Sequence, residues 1–317
     1  MSAAITVADQ APELHCLKKK RVPALLLDFF RSRNIPCMDL IDINGVRLEV
    51  HHIKAQATSP AQASIAPLVF LHEGLGSVAM WRDWPAQLCE ATGRDGWVYS
   101  RRGYGHSDAV PDVRVAPRVV NGLRTGRLLP DYMHEEAWTV LPMLLKTLNI
   151  EQPVLVGHSD GGSIALLHAS RFPVSACVVM APHVMVEDIS IQAIMQARTA
   201  FETGDLRQRL ARFHADVDCA FWQWNDVWLS DAFRSFDIRE DCARITAPLL
   251  AMQGLDDAYG TLRQIEEIPV FGDKNRLLPS SDMHSKLHKL EQCGHSPHRD
   301  QADLTTRVIA DFLTRQG

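Results

Sequence analysis

Residues 153–169 read PVLVGHSDGGSIALLHA: an apolar run, then one serine between glycines, then a helix-forming stretch. A strand that turns sharply into a helix through a serine needs space on both sides of that serine. Side chains two residues either way would collide with neighbouring elements. Gly157 and Gly161 remove them, and Gly162 lets the helix approach the sheet. Such a turn strains the backbone of Ser159 and lifts its Oγ above the carboxyl ends of the strands, beside a helix N-terminus. A glycine-rich turn that binds phosphate, or that only reverses the chain, fits the same letters. Partners elsewhere in the sequence have to decide between these readings.

The pattern around this turn is that of alternating strands and helices. The stretch MDLIDINGVRLEVHHI alternates about Asn44-Gly45, the strongest short hairpin signal. Strands are expected at 67–72, 96–100, 153–158, 175–181, 247–253 and 286–291, with helices at 80–91, 132–150, 161–172, 259–268 and 301–315. This order implies a mainly parallel sheet covered on both faces. Residues 1–37 read as an N-terminal extension with a helix at about 22–33. The core is then 38–182 and 241–317. The tryptophan-rich, helical stretch 183–240 is too long for a bare loop and is expected as a cap. Residues 101–130 read as a long polar loop rich in Pro and Arg.

A nucleophilic serine needs a base, and the base needs an orienting carboxylate. On a sheet of this kind they follow in the order Ser, Asp, His, each just past a strand end. Asp256 and Asp257 fall after the strand at 247–253, and His295 and His298 after the strand at 286–291. Asp257 is preferred because it lies three residues beyond Gly254, far enough to turn back towards a histidine. His295 is preferred because it follows Gly294 at the strand tip. The oxyanion formed on attack needs two amide donors. They are assigned to Asp160, directly after the nucleophile, and to Gly74 in HEGLGS after the strand at 67–72. His72 and His158 are read as structural. Trp222, Trp224 and Trp228 are candidates for an apolar or aromatic substrate pocket, although such a stripe is more often a cap's own core.

Composition removes other classes. A 46% hydrophobic, 22% charged chain of 317 residues with net charge −5 has no basic stripe for nucleic acid. The run Lys18-Lys19-Lys20-Arg21 is read as a solvated helix start. No stretch approaches the roughly 20 apolar residues of a membrane span, and the N-terminus lacks a basic-then-apolar leader pattern. Seven scattered cysteines without a CxxC pair fit a reduced cytoplasm. The 14 histidines include no HExxH, so neither a metal nor a cofactor is expected. The expected partner is a small-molecule substrate, with no nucleic acid or membrane; a homo-oligomer stays open.

Five stretches carry a resemblance to the α/β-hydrolase superfamily: FLHEGLGSVAMWRDWP, YSRRGYGHSD, VLVGHSDGGSIALLHA, APLLAMQGLDDAYGT and CGHSPHRDQ, in order across 67–317. The resemblance implies an eight-stranded, mostly parallel sheet, a helical cap after the sixth strand, and hydrolysis through an acyl-enzyme. It also implies structural roles for Arg102 and Gly103. Two residues depart from the family's pattern. Glu73 stands where a glycine is common and is expected to turn away from the pocket, and Asp160 stands where Met or Gln is common. The expected activity is serine-dependent cleavage of a carboxylic ester of a small, apolar or aromatic substrate. A carbon–carbon bond hydrolase and an acyltransferase would use the same triad, and a non-catalytic ligand receptor on this scaffold is the alternative of another class.

Overall fold

A computed structural model of the chain describes residues 39–55, 65–269 and 285–315. The expected helix at 22–33 and the rest of the N-terminal extension lie outside the described residues. Eight strands form one sheet: β1 (Asp39–Ile43), β2 (Val46–Ile53), β3 (Leu68–Leu71), β4 (Gly96–Tyr99), β7 (Val154–His158), β8 (Ala176–Met180), β9 (Leu249–Gly254) and β10 (Lys286–Leu290). Two further strands, β5 (Arg118–Val120) and β6 (Leu123–Thr125), pair as a separate hairpin. The order across the large sheet is β1-β2-β4-β3-β7-β8-β9-β10. The β1–β2 and β2–β4 pairs are antiparallel and every other pair is parallel.

The strand sequences show why both faces are covered. Val154 and Val156 of β7 point to one side and Leu155 to the other, and all three are almost fully buried. Phe70, Val98, Val156 and Val178 meet the helix Trp84–Thr92 and the C-terminal helix Ala302–Thr314 through Leu88, Ile309 and Phe312. Val69, Leu71, Leu155 and Val179 meet the helix Asp160–Ala169 and the helical stretch from Tyr132 to Thr147 on the opposite side. That stretch is not one regular helix. It opens into a π turn at Glu136–Val140.

Between β8, the sixth strand of the large sheet, and β9 the chain forms the helices Asp188–Thr203, Leu206–Leu210, Val217–Trp228 and Arg239–Cys242. The helix expected at 259–268 is a single turn, Arg263–Glu266. The preceding residues are held as a loop by the Tyr259 amide on Asp257 and the Thr261 amide on Glu187. The expected polar loop at 101–130 also needs correction. It contains the β5–β6 hairpin, which turns at Asn121-Gly122 with φ of 51° and 80°, the same left-handed pair that Asn44-Gly45 makes with 54° and 81°. No helix among the described residues is long and apolar enough to cross a membrane.

Candidate active site

Ser159 sits between β7 and the helix Asp160–Ala169 with φ 52° and ψ −120°, a left-handed backbone that a serine rarely adopts. The amide of Ser159 donates to Met180 O, and the carbonyl receives the amide of Ser163, so the turn is fastened to β8 and to its own helix. A Cβ on Gly157 would lie 2.2 Å from Gly161 O, and one on Gly161 would lie 2.0 Å from Leu71 O. Both obstacles are backbone atoms that cannot step aside. The glycines are therefore a condition of the turn.

Three strand ends bring the expected partners to the serine. His295 Nε2 lies 2.9 Å from Ser159 Oγ, and His295 Nδ1 lies 2.9 Å from each oxygen of Asp257. With Nδ1 donating to the carboxylate, Nε2 is the acceptor that faces the serine hydroxyl. Asp257 accepts two more hydrogen bonds, from Gln253 Nε2 at 2.6 Å and from the Tyr259 amide at 2.8 Å. Burial pushes the Asp257 carboxyl up. The His295 hydrogen bond and charge and the Tyr259 amide outweigh that, holding it below the ordinary carboxylate value. The open choices resolve geometrically. Asp256 is exposed, with its amide on Cys293 O, and His298 is buried among Trp81, Trp84 and His158.

The Glu73–Gly74 peptide is locked from its oxygen side. Glu73 O accepts from His72 Nδ1 at 2.7 Å, Arg101 Nη2 at 3.0 Å and the Gly76 amide at 3.0 Å. Because a trans peptide sets N–H opposite C=O, the Gly74 amide is aimed away from those three donors. The Asp160 amide is the first of its helix and has no intrahelical acceptor. His72 is fully buried and accepts the Arg101 amide at Nε2, so it serves the loop structurally. His158 Nε2 lies 2.6 Å from His295 O and steadies the loop that carries His295. Glu73 turns its carboxylate to Arg299, 3.3 Å, and His158, 3.5 Å. Arg102 donates to Arg124 O, and Gly103, at φ 85°, leaves room for the Gln223 amide.

Asp160 is buried, and its Oδ2 accepts from Tyr132 Oη at 2.6 Å. Tyr132 Oη in turn accepts from Trp228 Nε1 at 3.0 Å, and Arg101 Nη2 lies 3.8 Å from the same carboxylate oxygen. Burial pushes the Asp160 carboxyl up, and Arg101, Tyr132 and Trp228 pull it only part of the way back. Neither Tyr132 nor Arg101 stands out as a site residue in the sequence. Tyr132 reads as one apolar position of a helix, and Arg101 as the neighbour of the motif arginine.

The three tryptophans divide. Trp224 lies against Gly74, where a Cβ would come within 2.1 Å of the indole nitrogen. Trp228 stands edge-on to His183, ring centres 4.9 Å apart, and reaches the elbow through Tyr132. Trp222 packs on Phe201 and Phe221 within the insertion and carries Arg114, from the 101–130 stretch, over its ring at 3.7 Å. Tyr259, ring centre 4.6 Å from that of His295, and His183, at 5.8 Å, complete the walls around the base.

The comparisons agree with this architecture. The family model described as "Alpha/beta hydrolase family" matches residues 68–308. A 2-hydroxymuconate semialdehyde hydrolase of Pseudomonas sp. (strain CF600) is 24% identical over 264 residues, covering 78% of this chain and 86% of that protein. A 2-hydroxy-6-oxo-6-phenylhexa-2,4-dienoate hydrolase of Comamonas testosteroni is 26% identical over 203 residues, 55% of this chain and 66% of that protein. Among solved structures, an enol-lactonase from Burkholderia xenovorans superposes with a TM-score of 0.60 at 20% identity, covering 87% of this chain and all of that one. A meta-cleavage product hydrolase from Pseudomonas fluorescens superposes with a TM-score of 0.62 at 18% identity, covering 88% and 98%. With the sheet order, the helices on both faces and the helical insertion after the sixth strand, these matches identify the chain as a member of the alpha/beta hydrolase family, a hydrolase by kinship with its relatives.

Proposed function

We propose that this hydrolase cleaves a carboxylic ester, or a related acyl bond, of a small apolar or aromatic substrate through an acyl-enzyme on Ser159. The observation that carries the reading is the unbroken chain Asp257–His295–Ser159 at 2.9 Å per link. His295 Nε2 takes the Ser159 proton as Oγ attacks the carbonyl carbon, and Asp257 fixes the imidazole tautomer and stabilises its charged form. The amides of Asp160 and Gly74 receive the developing oxyanion. His295 then returns the proton to the leaving group, and water repeats the sequence to release the acid. Trp224 and Trp228, with Tyr259 and His183, supply the aromatic walls that favour an apolar acyl group. The reaction needs no cofactor or metal.

A panel of p-nitrophenyl esters with short aliphatic and aromatic acyl groups tests this, followed in ¹⁸O-labelled water. The reading requires turnover with one labelled oxygen in the released acid and none with Ser159→Ala. Absence of turnover on every ester would remove it. The two curated relatives, named for a semialdehyde and a phenyl-substituted dienoate, support a second reading in which the same triad hydrolyses a carbon–carbon bond. Preferential cleavage of such a dienoate over any ester would install that reading instead.

A further inference from the structure

A cavity of about 710 Å³ is not lined by Ser159, Asp257 or His295. Its outer wall is the β5–β6 hairpin, with exposed Val119 and Leu129. Its buried floor is formed by Leu48, Arg101, Tyr104 and Glu136. This volume falls within the range of small-molecule pockets, and much of its lining is apolar. The polar part of the lining is dominated by one charge. Arg101, Arg102, Arg118, Arg124 and Arg127 face two carboxylates, Glu135 and Glu136. Glu135 is already taken by Arg124, and Glu136 accepts the Tyr99 hydroxyl while its burial disfavours the charged form.

The floor holds unused donors. Arg101 is 4% exposed and Tyr104 is 3% exposed, yet Arg101 Nε, Arg101 Nη1 and Tyr104 Oη have no hydrogen-bond partner among the described residues. Arg102, beside them, also has a buried Nε without one. A buried guanidinium with two free donors is costly unless something accepts from it. Two carboxylates act on its charge without accepting from Nε or Nη1: Asp160, 3.8 Å away and engaged with Tyr132, and Glu136, engaged with the Tyr99 hydroxyl. The Nε–H and Nη1–H bonds of a guanidinium diverge, so an acceptor meets one of these free donors at a time, and a carboxylate supplies both the charge and the acceptor oxygen that either lacks. We propose that this cavity is a second ligand site, separate from the triad, which takes a small carboxylate with an apolar tail, its head on Arg101 and Tyr104 and its tail under the β5–β6 hairpin.

The site is coupled to the hydrolytic one. Arg101 Nη2 holds the Glu73 carbonyl that orients the Gly74 amide, and Tyr132, which also lines the cavity, holds Asp160. A carboxylate on the other edge of Arg101 therefore bears on both oxyanion donors at once. The released acid of an ester hydrolysis has the required chemistry, so the site would sense product or a product-like acid. The occupancy claim itself does not depend on what Ser159 does.

Calorimetric titration of the full chain with octanoate, and with octanol as the neutral probe of similar length, tests the proposal. Wild type and Ser159→Ala should bind octanoate alike, and both should bind octanol at least about tenfold more weakly. Val140→Trp, which narrows the cavity from the helical stretch, should lose octanoate binding and keep fluorophosphonate labelling of Ser159. Arg101→Met, if circular dichroism shows it folded, should bind the two probes equally. Octanoate binding that survives Val140→Trp, or equal binding of the two probes to wild type, would overturn the proposal. Loss of labelling in wild type would instead count against the hydrolase reading alone.

Discussion

Replacing Asp257 by Asn tests the orienting carboxylate without changing its shape. Asp257 offers two acceptor oxygens to three donors: Gln253 Nε2 on Oδ2, the Tyr259 amide on Oδ1, and His295 Nδ1 at 2.9 Å from both. An asparagine has one oxygen. If that oxygen stays on Tyr259, the new NH2 meets Gln253 Nε2 and shares the face of His295 Nδ1. Gln253 can answer by flipping, since its Oε1 has no partner among the described residues, but it then gives up Gly260 O at 3.2 Å. Facing an NH2, His295 is driven to carry its proton on Nε2, where it can no longer accept from Ser159. Loss of the tautomer and of the imidazolium's counter-charge is worth about 10³–10⁴ in kcat, about 4–5.5 kcal/mol. One buried donor left unpaired costs about 1–3 kcal/mol of stability, so the variant stays folded with a melting temperature lower by several degrees. The assay is p-nitrophenyl butyrate hydrolysis beside a thermal melt. Asp256→Asn, on the exposed neighbour, is the control and should stay within about twofold of wild type. A folded Asp257→Asn that hydrolyses within tenfold of wild type would refute the assignment.

Other perturbations follow from the same contacts. Tyr132→Phe removes the hydroxyl between Trp228 and Asp160, leaving a buried carboxyl without its 2.6 Å donor. It should cost about 1–3 kcal/mol in chemical denaturation and lower kcat more than it raises KM. Gly161→Ala drives a methyl into Leu71 O at 2.0 Å and should destabilise by about 1–3 kcal/mol or more, read as loss of soluble protein or a lowered melting point. Stability should also fall on acidification. Burial lowers His183 to about 3 and His168 to about 4, so both stay neutral in the fold, while the unfolded chain protonates them below about pH 6.5. The unfolded state then binds more protons. Stability is full above pH 6.5 and declines below it, by up to about 1.4 kcal/mol per pH unit for each histidine, until its folded value is reached. Urea titrations at pH 7.5 and 5 measure the slope, and equal stability at both would contradict it.

Features governed by local backbone demands are legible in the sequence. A serine that must sit at positive φ needs its flanking glycines, and short apolar runs that end in polar tips mark where parallel strands deliver side chains. Ser159, Asp257 and His295 each stand at such a position in the sequence, and the structure brings all three together. The β5–β6 hairpin is hidden in the sequence although Asn121-Gly122 is the same dipeptide as Asn44-Gly45. Its arms, rich in Arg and flanked by Pro117 and Pro130, lack the alternation that a buried face imposes. The helix expected at 259–268 shrank to one turn because Asp257 and Glu187 compete for the amides of Tyr259 and Thr261. Tyr132 and Arg101 acquire their meaning only through contacts with Asp160, 28 and 59 residues away in the chain, which no spacing encodes.

The central claim is that Ser159 is an activated nucleophile. Intact-mass spectrometry after treatment with a fluorophosphonate tests it without knowledge of the natural substrate. One stoichiometric adduct is expected on wild type, none on Ser159→Ala, and a rate of adduct formation slowed by orders of magnitude in Asp257→Asn. A folded wild-type protein that takes up no adduct, or an adduct that persists on Ser159→Ala, would contradict it and bring forward the reading of this fold as a ligand receptor.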